Sequence, residues 1–157
     1  MIPTGFSVTQ AATQSEASLI ARFLGLRGWS SMSDIRLVER VSAGLPLSAA
    51  YALVRHIDPE GERLQVEDII PRASYYRRKA QGKPLSKQQS QSIFALSKVF
   101  AETLRQYHDD KESASLFLSR KHALLGGRSP LDVARESTAG ADLVLKLLAR
   151  AEAGIAA

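Results

Sequence analysis

An all-α protein is the fold class this chain predicts, on three observations. Apolar residues recur every three or four positions almost throughout, which is the period of an amphipathic helix. No run of alternating β-branched residues flanked by turn pairs marks a hairpin. Serine, aspartate, glycine and proline fall where helix caps and breaks belong. The 157 residues, 45% of them hydrophobic, suffice for a buried core and are expected to form two small lobes.

Residues 15–24 place Leu19, Ile20, Phe23 and Leu24 on one helical face, and Gly25, Gly28 and the serines around Ser31 then break the pattern. Residues 1–30 are read as an N-terminal arm, ordering only against something else, or as a helix of unassigned role. Trp29 sits in the break. Packing is the expected fate of a lone tryptophan, with an exposed contact as the alternative. A second helix begins near Ser33, with Ile35, Val38 and Val41 spaced to face inward, and closes at Gly44 before Pro46. A third covers 47–57 with Ala50, Leu53, Val54 and Ile57 inward, and Asp58-Pro59-Glu60-Gly61 turns the chain.

Residues 64–70 read as a short helix, which Pro71 interrupts so that a new helix starts at once, the spacing of a helix-turn-helix. The second helix, Arg72 to Gln81, stops at Gly82 and Pro84 and is the recognition-helix candidate. At its N-terminal end Arg72, Ser74 and Tyr75 are the expected base readers, while Arg77, Arg78, Lys79 and Lys83 are placed to touch phosphates. One of the two tyrosines, 75 or 76, is expected to pack inward. Ser86-Lys87-Gln88-Gln89 is a capping box opening a long helix with Ile93, Leu96, Phe100, Leu104 and Tyr107 as its apolar stripe.

Asp109 and Asp110 end that helix and cap the next, whose Ala114, Phe117 and Leu118 face inward. His108 beside them reads as a helix-end cation. Gly126-Gly127 permits a tight turn, Ser129 caps, Pro130 takes the first helical position and Asp132 complements the dipole. The last helix, 139–153, sets Leu143, Val144, Leu147, Leu148 and Ala151 on one face.

Charge is unevenly spread. Residues 69–101 contain no acid but seven cations, Lys87 and Lys98 included, against a net charge of +5 for the whole chain, so the remainder carries −2. A focused basic segment is the footprint of a polyanion-binding face, the alternative being a solvated helix surface. Cysteine is absent and the three histidines show no ligand spacing, so no disulfide, thiolate site or other metal site is expected. The start Met1-Ile2-Pro3-Thr4-Gly5 lacks signal-peptide regions, and no apolar run approaches the ~20 residues of a membrane span. A cytoplasmic protein without membrane partners is therefore expected. No strand precedes Gly126-Gly127 and no Gly-Lys-Ser/Thr follows, which argues against a phosphate-binding loop. With no nucleophile, base or metal arrangement in view, neither an enzyme nor a cofactor is expected.

The C-terminal residues carry a resemblance. Leu125, Gly126, Gly127, Pro130 and Leu131, then Gly140, Val144 and Leu148, then Gly154, follow an order and spacing that resembles the toxin-binding domain of Xre/MbcA/ParS-type antitoxins. Phe117-Leu118 stands where that family usually has Trp-Leu, and 72–78 looks like a variant of its Arg-Thr-Leu-x-Arg-Arg run. The likeness runs from about residue 69 to 157 and is thin over 34–68. It implies a toxin-binding domain at 109–157 and an Xre-like DNA-binding domain at 31–108. The implied partner is a RES-domain, NAD-consuming toxin encoded by the neighbouring gene. Phe117, Leu125, Arg128, Leu131 and Arg150 would touch that toxin, with Gly154, Ile155, Ala156 and Ala157 reaching its NAD-binding cleft. The implied protein represses its own operon at operator DNA, on the nucleoid, as a homodimer within a larger toxin–antitoxin complex. The alternative is a stand-alone helix-turn-helix regulator whose C-terminal lobe dimerises.

Overall fold

Ser15 opens the first described helix by accepting the Ser18 N–H on its hydroxyl. The computed structural model describes residues 14–154, which contain eight α-helices and no strand. They are α1 (Glu16–Phe23), α2 (Asp34–Ala43), α3 (Leu47–Ile57), α4 (Arg72–Ala80), α5 (Lys87–Gln106), α6 (Lys111–Ser119), α7 (Pro130–Glu136) and α8 (Thr138–Glu152). Single 3₁₀ turns lie at Trp29–Ser31, Val66–Asp68 and Ala123–Leu125.

The capping predictions correspond to hydrogen bonds. The predicted caps Ser86, Asp110 and Ser129 each accept a backbone N–H two or three residues on, at the start of α5, α6 and α7, and Ser33 and Ser137 do the same at the start of α2 and α8. Gln89 completes the box by accepting the Ser86 N–H at 2.9 Å. His108 and Asp109 adopt positive φ of 52° and 63°, and the Asp109 N–H returns to the Leu104 carbonyl at 2.8 Å, which stops α5 and turns the chain into α6.

The core is organised on α5. Its stripe of Ile93, Leu96, Phe100 and Leu104 is buried, as are Ala95, Val99 and Ala101 beside it. On one side α1, α2 and α3 pack against it, with Phe23 against Phe100 at 4.9 Å between ring centroids. On the other side α7 and α8 pack against it. Gln106 donates to the Leu148 carbonyl at 2.7 Å, and Arg105 bridges Glu102 and Glu152, so the ends of α5 and α8 are tied. Arg105 and Glu152 are exposed and Glu102 only half-buried, so the bridges contribute little beyond orientation. Polar groups in the core are partnered: Ser90 accepts the Leu45 N–H at 2.8 Å and Thr103 donates to the Val99 carbonyl at 2.7 Å.

Five readings of the sequence are corrected or narrowed. Over the described part of residues 1–30 there is a helix set into the core, with Ala17, Ile20, Ala21, Phe23, Leu24 and Leu26 buried. Trp29 is 38% exposed, with the Arg22 guanidinium 5.9 Å from its ring. On α2 the inward pair is Leu37 and Val41, four residues apart, whereas Ile35 and Val38 face solvent. Two apolar pairs compete on that helix, and the one nearer α5 wins. Residues 64–70 hold only a single 3₁₀ turn. Asp58 accepts the N–H groups of Arg63 and Leu64 at 2.6 and 3.0 Å, keeping the approach irregular, and Pro71 disfavours helical geometry at Ile70. On α8 the buried stripe is Ala141, Val144 and Leu148, with Leu143 and Ala151 outward.

Candidate functional site

Two faces collect the chemistry. The first is α4. Of its nine residues only Tyr75 is buried, so the helix stands on the surface held by one anchor and its ends. Tyr75 packs edge-on against Tyr51 and Tyr76, at 5.4 and 5.5 Å between centroids. Burial, then the Tyr51 hydroxyl beside it, pushes the Tyr75 phenol above its ordinary range. The base-reading role assigned to Tyr75 is thus corrected, because a side chain 7% exposed presents no edge to a groove. Tyr76, 46% exposed, is the outward tyrosine, and the Arg72 guanidinium lies 5.5 Å from its ring. Tyr76 is four residues after Arg72 and shares its face.

Ser74 is half-buried and accepts from the Gln89 amide at 2.7 Å, which fixes α4 to the start of α5. Arg78 donates to the Pro84 carbonyl at 2.7 Å, closing the turn after α4. Arg72, Arg77, Lys79, Lys83 and Lys87 are exposed. Among the described residues no carboxylate pairs with any of them or with Arg78. Lys98 lies further along α5, its ammonium 5.0 Å from the Phe94 ring. The arrangement is a row of uncompensated cations on a protruding helix, able to meet an anionic backbone.

The second face belongs to α6, α7 and α8. The chain reverses through Gly126 and Gly127, at φ 66° and 78°, and a backbone bridge joins His122 to Arg128. Leu125 and Leu131, predicted as toxin contacts, are buried and shape this lobe from within. Phe117 is half-buried against Tyr107, its ring 5.9 Å away. Arg128 reaches the surface and pairs with Glu136 at 2.7 Å. Arg150 and Gly154 are exposed at the end of α8, while Ile155, Ala156 and Ala157 lie outside the described residues.

Three leucines are exposed here: Leu116 and Leu124, which the sequence reading left unassigned, and Leu143, which it placed on the apolar face of the last helix, at 56%, 51% and 47%. Each neighbours another apolar residue in sequence, as Leu124 does Leu125. Neighbours on an α-helix point about 100° apart, so periodicity leaves open which of two adjacent apolar residues faces inward.

Side chains tie the two faces together. Arg63, in the loop before α4, donates to Ser115 and Ser119 of α6 at 3.2 and 2.7 Å. Arg135 of α7 pairs at 3.1 Å with Asp68, in the 3₁₀ turn that leads into α4. Among the described residues no cluster of three potential ligands could hold a metal, and no helix is long and apolar enough to cross a membrane.

No curated protein matches the chain significantly. Residues 103–154, from the last turn of α5 to the end of the second face, match the family model of the antitoxin Xre/MbcA/ParS C-terminal toxin-binding domain, which supports an antitoxin role in a toxin–antitoxin system and points to a regulatory protein with a toxin partner.

Proposed function

We propose that this chain is an antitoxin that neutralises a RES-type, NAD-degrading toxin through the α6–α8 face and represses its own operon through α4. The observation that carries the first half is the match over 103–154, which falls on the lobe exposing Leu116, Leu124 and Leu143. Exposed leucines on an otherwise packed lobe suit burial against another protein. The repressor half rests on the uncompensated cations of α4, which would fix register on phosphates, with Arg72, Tyr76 and Ser74 nearest to bases.

The test is a growth assay in which the neighbouring open reading frame is induced alone and with this protein, while cellular NAD is followed. Growth arrest with NAD loss, rescued by co-expression, supports the reading. A harmless neighbour leaves a DNA-binding regulator whose leucines bury a copy of itself. By family resemblance the tail, 154–157, blocks the toxin's cleft. A chain lacking those four residues is expected to neutralise poorly while keeping operator affinity, and full neutralisation by it would leave the lobe surface as the sole contact.

A further inference from the structure

A groove of about 380 Å³ runs between the loop that follows α3 and the outer side of α6, with Ile57, Pro59 and Leu116 as its apolar lining. Its two walls are tied to each other. Arg63 in the loop donates to Ser115 and Ser119 of α6 at 3.2 and 2.7 Å, so the groove is formed before any partner arrives. Leu116 is the most exposed of the three outward leucines of this lobe. It lies one turn after Glu112 and on the same side of α6.

Four carboxylates line the groove, Asp58, Glu60, Glu62 and Glu112, against the single guanidinium of Arg63. Asp58 is committed to the fold, accepting the N–H groups of Arg63 and Leu64, and Glu112 complements the dipole at the start of α6. Glu60, Glu62 and Glu112 are exposed, and none has an ion-pair partner among the described residues. Such a lining sorts occupants by charge. It repels a polyanion, so nucleic acid belongs on the cations of α4 and not here. Nor is a metal ion the counter-charge, since among the described residues no three carboxylates or imidazoles stand close enough to share one. Cations spaced along a peptide, with an apolar side chain between them, suit both the separated acids and Leu116.

The α6 wall lies within residues 103–154, the stretch matched to the toxin-binding domain, whereas the wall from Ile57 to Arg63 precedes it. We propose that the groove receives an arginine- or lysine-bearing segment of the toxin, so that the toxin contact crosses from the matched domain onto the loop after α3. This rests on the antitoxin reading above. It adds to that reading the chemistry of the partner's segment and a contact outside the matched residues.

The test measures association of the full chain with the purified product of the neighbouring open reading frame, at about 50 and about 500 mM NaCl. Glu62→Lys and Glu112→Lys should each slow association on the order of tenfold at the lower salt, and the loss should shrink at the higher, because salt screens exposed charges. Glu62→Gln, which removes the charge without reversing it, should fall between Glu62→Lys and the parent. Glu39→Lys on α2, which makes the same change of net charge outside the groove, should stay within about twofold of the parent. Thermal melts of the Glu62 variants should match the parent's, since that side chain holds no part of the fold. If Glu62→Lys binds at the parent's rate, or Glu39→Lys slows association equally, the proposal is overturned while the antitoxin reading stands. A loss that persists undiminished at high salt overturns the role of charge. A neighbouring protein that does not bind the unaltered chain overturns both readings.

Discussion

Replacing Gly140 by alanine should damage the α7–α8 lobe although alanine is the better helix former. Gly140 lies in the first turn of α8, where its N–H bonds the capping Ser137 hydroxyl at 3.0 Å. A Cβ there would stand 2.0 Å from the Val133 carbonyl oxygen and 3.0 Å from its carbon. The obstacle is backbone and cannot rotate away. Ordinary contact begins at 3.4 Å, so α7 and α8 must part by more than an ångström where Ala141 and Val144 are sealed. Overpacking of this kind costs about 1–3 kcal/mol, and an immovable carbonyl puts it near ~3. Alanine's helix propensity returns about 1 kcal/mol, leaving a net loss of about 2 kcal/mol. In a chain of this size that lowers Tm by roughly 4–8 °C. Thermal unfolding followed by circular dichroism gives the number, and co-expression with the toxin gives the functional cost. A Tm equal to or above that of the parent would refute the close approach of the two helices, and with it the explanation of why glycine stands there.

Tyr75→Ala should cost about 3 kcal/mol in stability, since it removes the one buried side chain of α4, whereas Tyr76→Ala should leave Tm within about 1 °C and weaken operator binding. The reverse pattern in paired melts and gel shifts would exchange their roles. Arg77→Ala should reduce operator affinity and flatten its dependence on log salt by about one unit, as the loss of one phosphate contact does. An unchanged slope moves the DNA face elsewhere. His56 should make the fold acid-sensitive. Burial against Phe23, 5.1 Å between ring centroids, then the charges of Arg22, Lys111 and Arg55, hold its pKa below the ordinary 6.5. The unfolded chain therefore takes up the proton first, so this contribution is complete above pH 6.5 and is lost as pH falls through the lower folded value. His56→Gln should flatten that part of the stability–pH profile, and an unaltered profile would remove His56 as its cause.

What could be read from the sequence divides by the range of the forces involved. Caps are local chemistry, so Ser86 with Gln89, Asp110, and Ser129 before Pro130 were legible from four-residue windows. The α5 stripe was legible because one period runs over twenty residues. Faces were not, wherever two apolar pairs share a helix. Nothing within α2 says that Leu37 and Val41 rather than Ile35 and Val38 will meet α5, and nothing within α8 says that Leu143 is spare. At the candidate sites the cations of α4 were legible as composition, while the choice between Tyr75 and Tyr76 needed the position of Tyr51, which lies more than twenty residues earlier. Leu125 and Leu131 lie in the interior of the second lobe, and its outer surface carries Leu116 and Leu124, which periodicity leaves unassigned, and Leu143, which periodicity turns inward.

Because α1–α3 and α7–α8 share the two sides of a single helix, a ligand on either face stabilises the whole chain. An occupant at concentration L adds RT ln(1 + L/Kd) to the unfolding free energy, about 2.7 kcal/mol at a hundredfold excess over Kd. A protease that acts on the unfolded chain would then find roughly a hundredfold less substrate. Capture of a partner at the α6–α8 face thus lengthens the life of the cationic helix α4 as well, with no change in its conformation. The free and the captured chain would be told apart by their turnover.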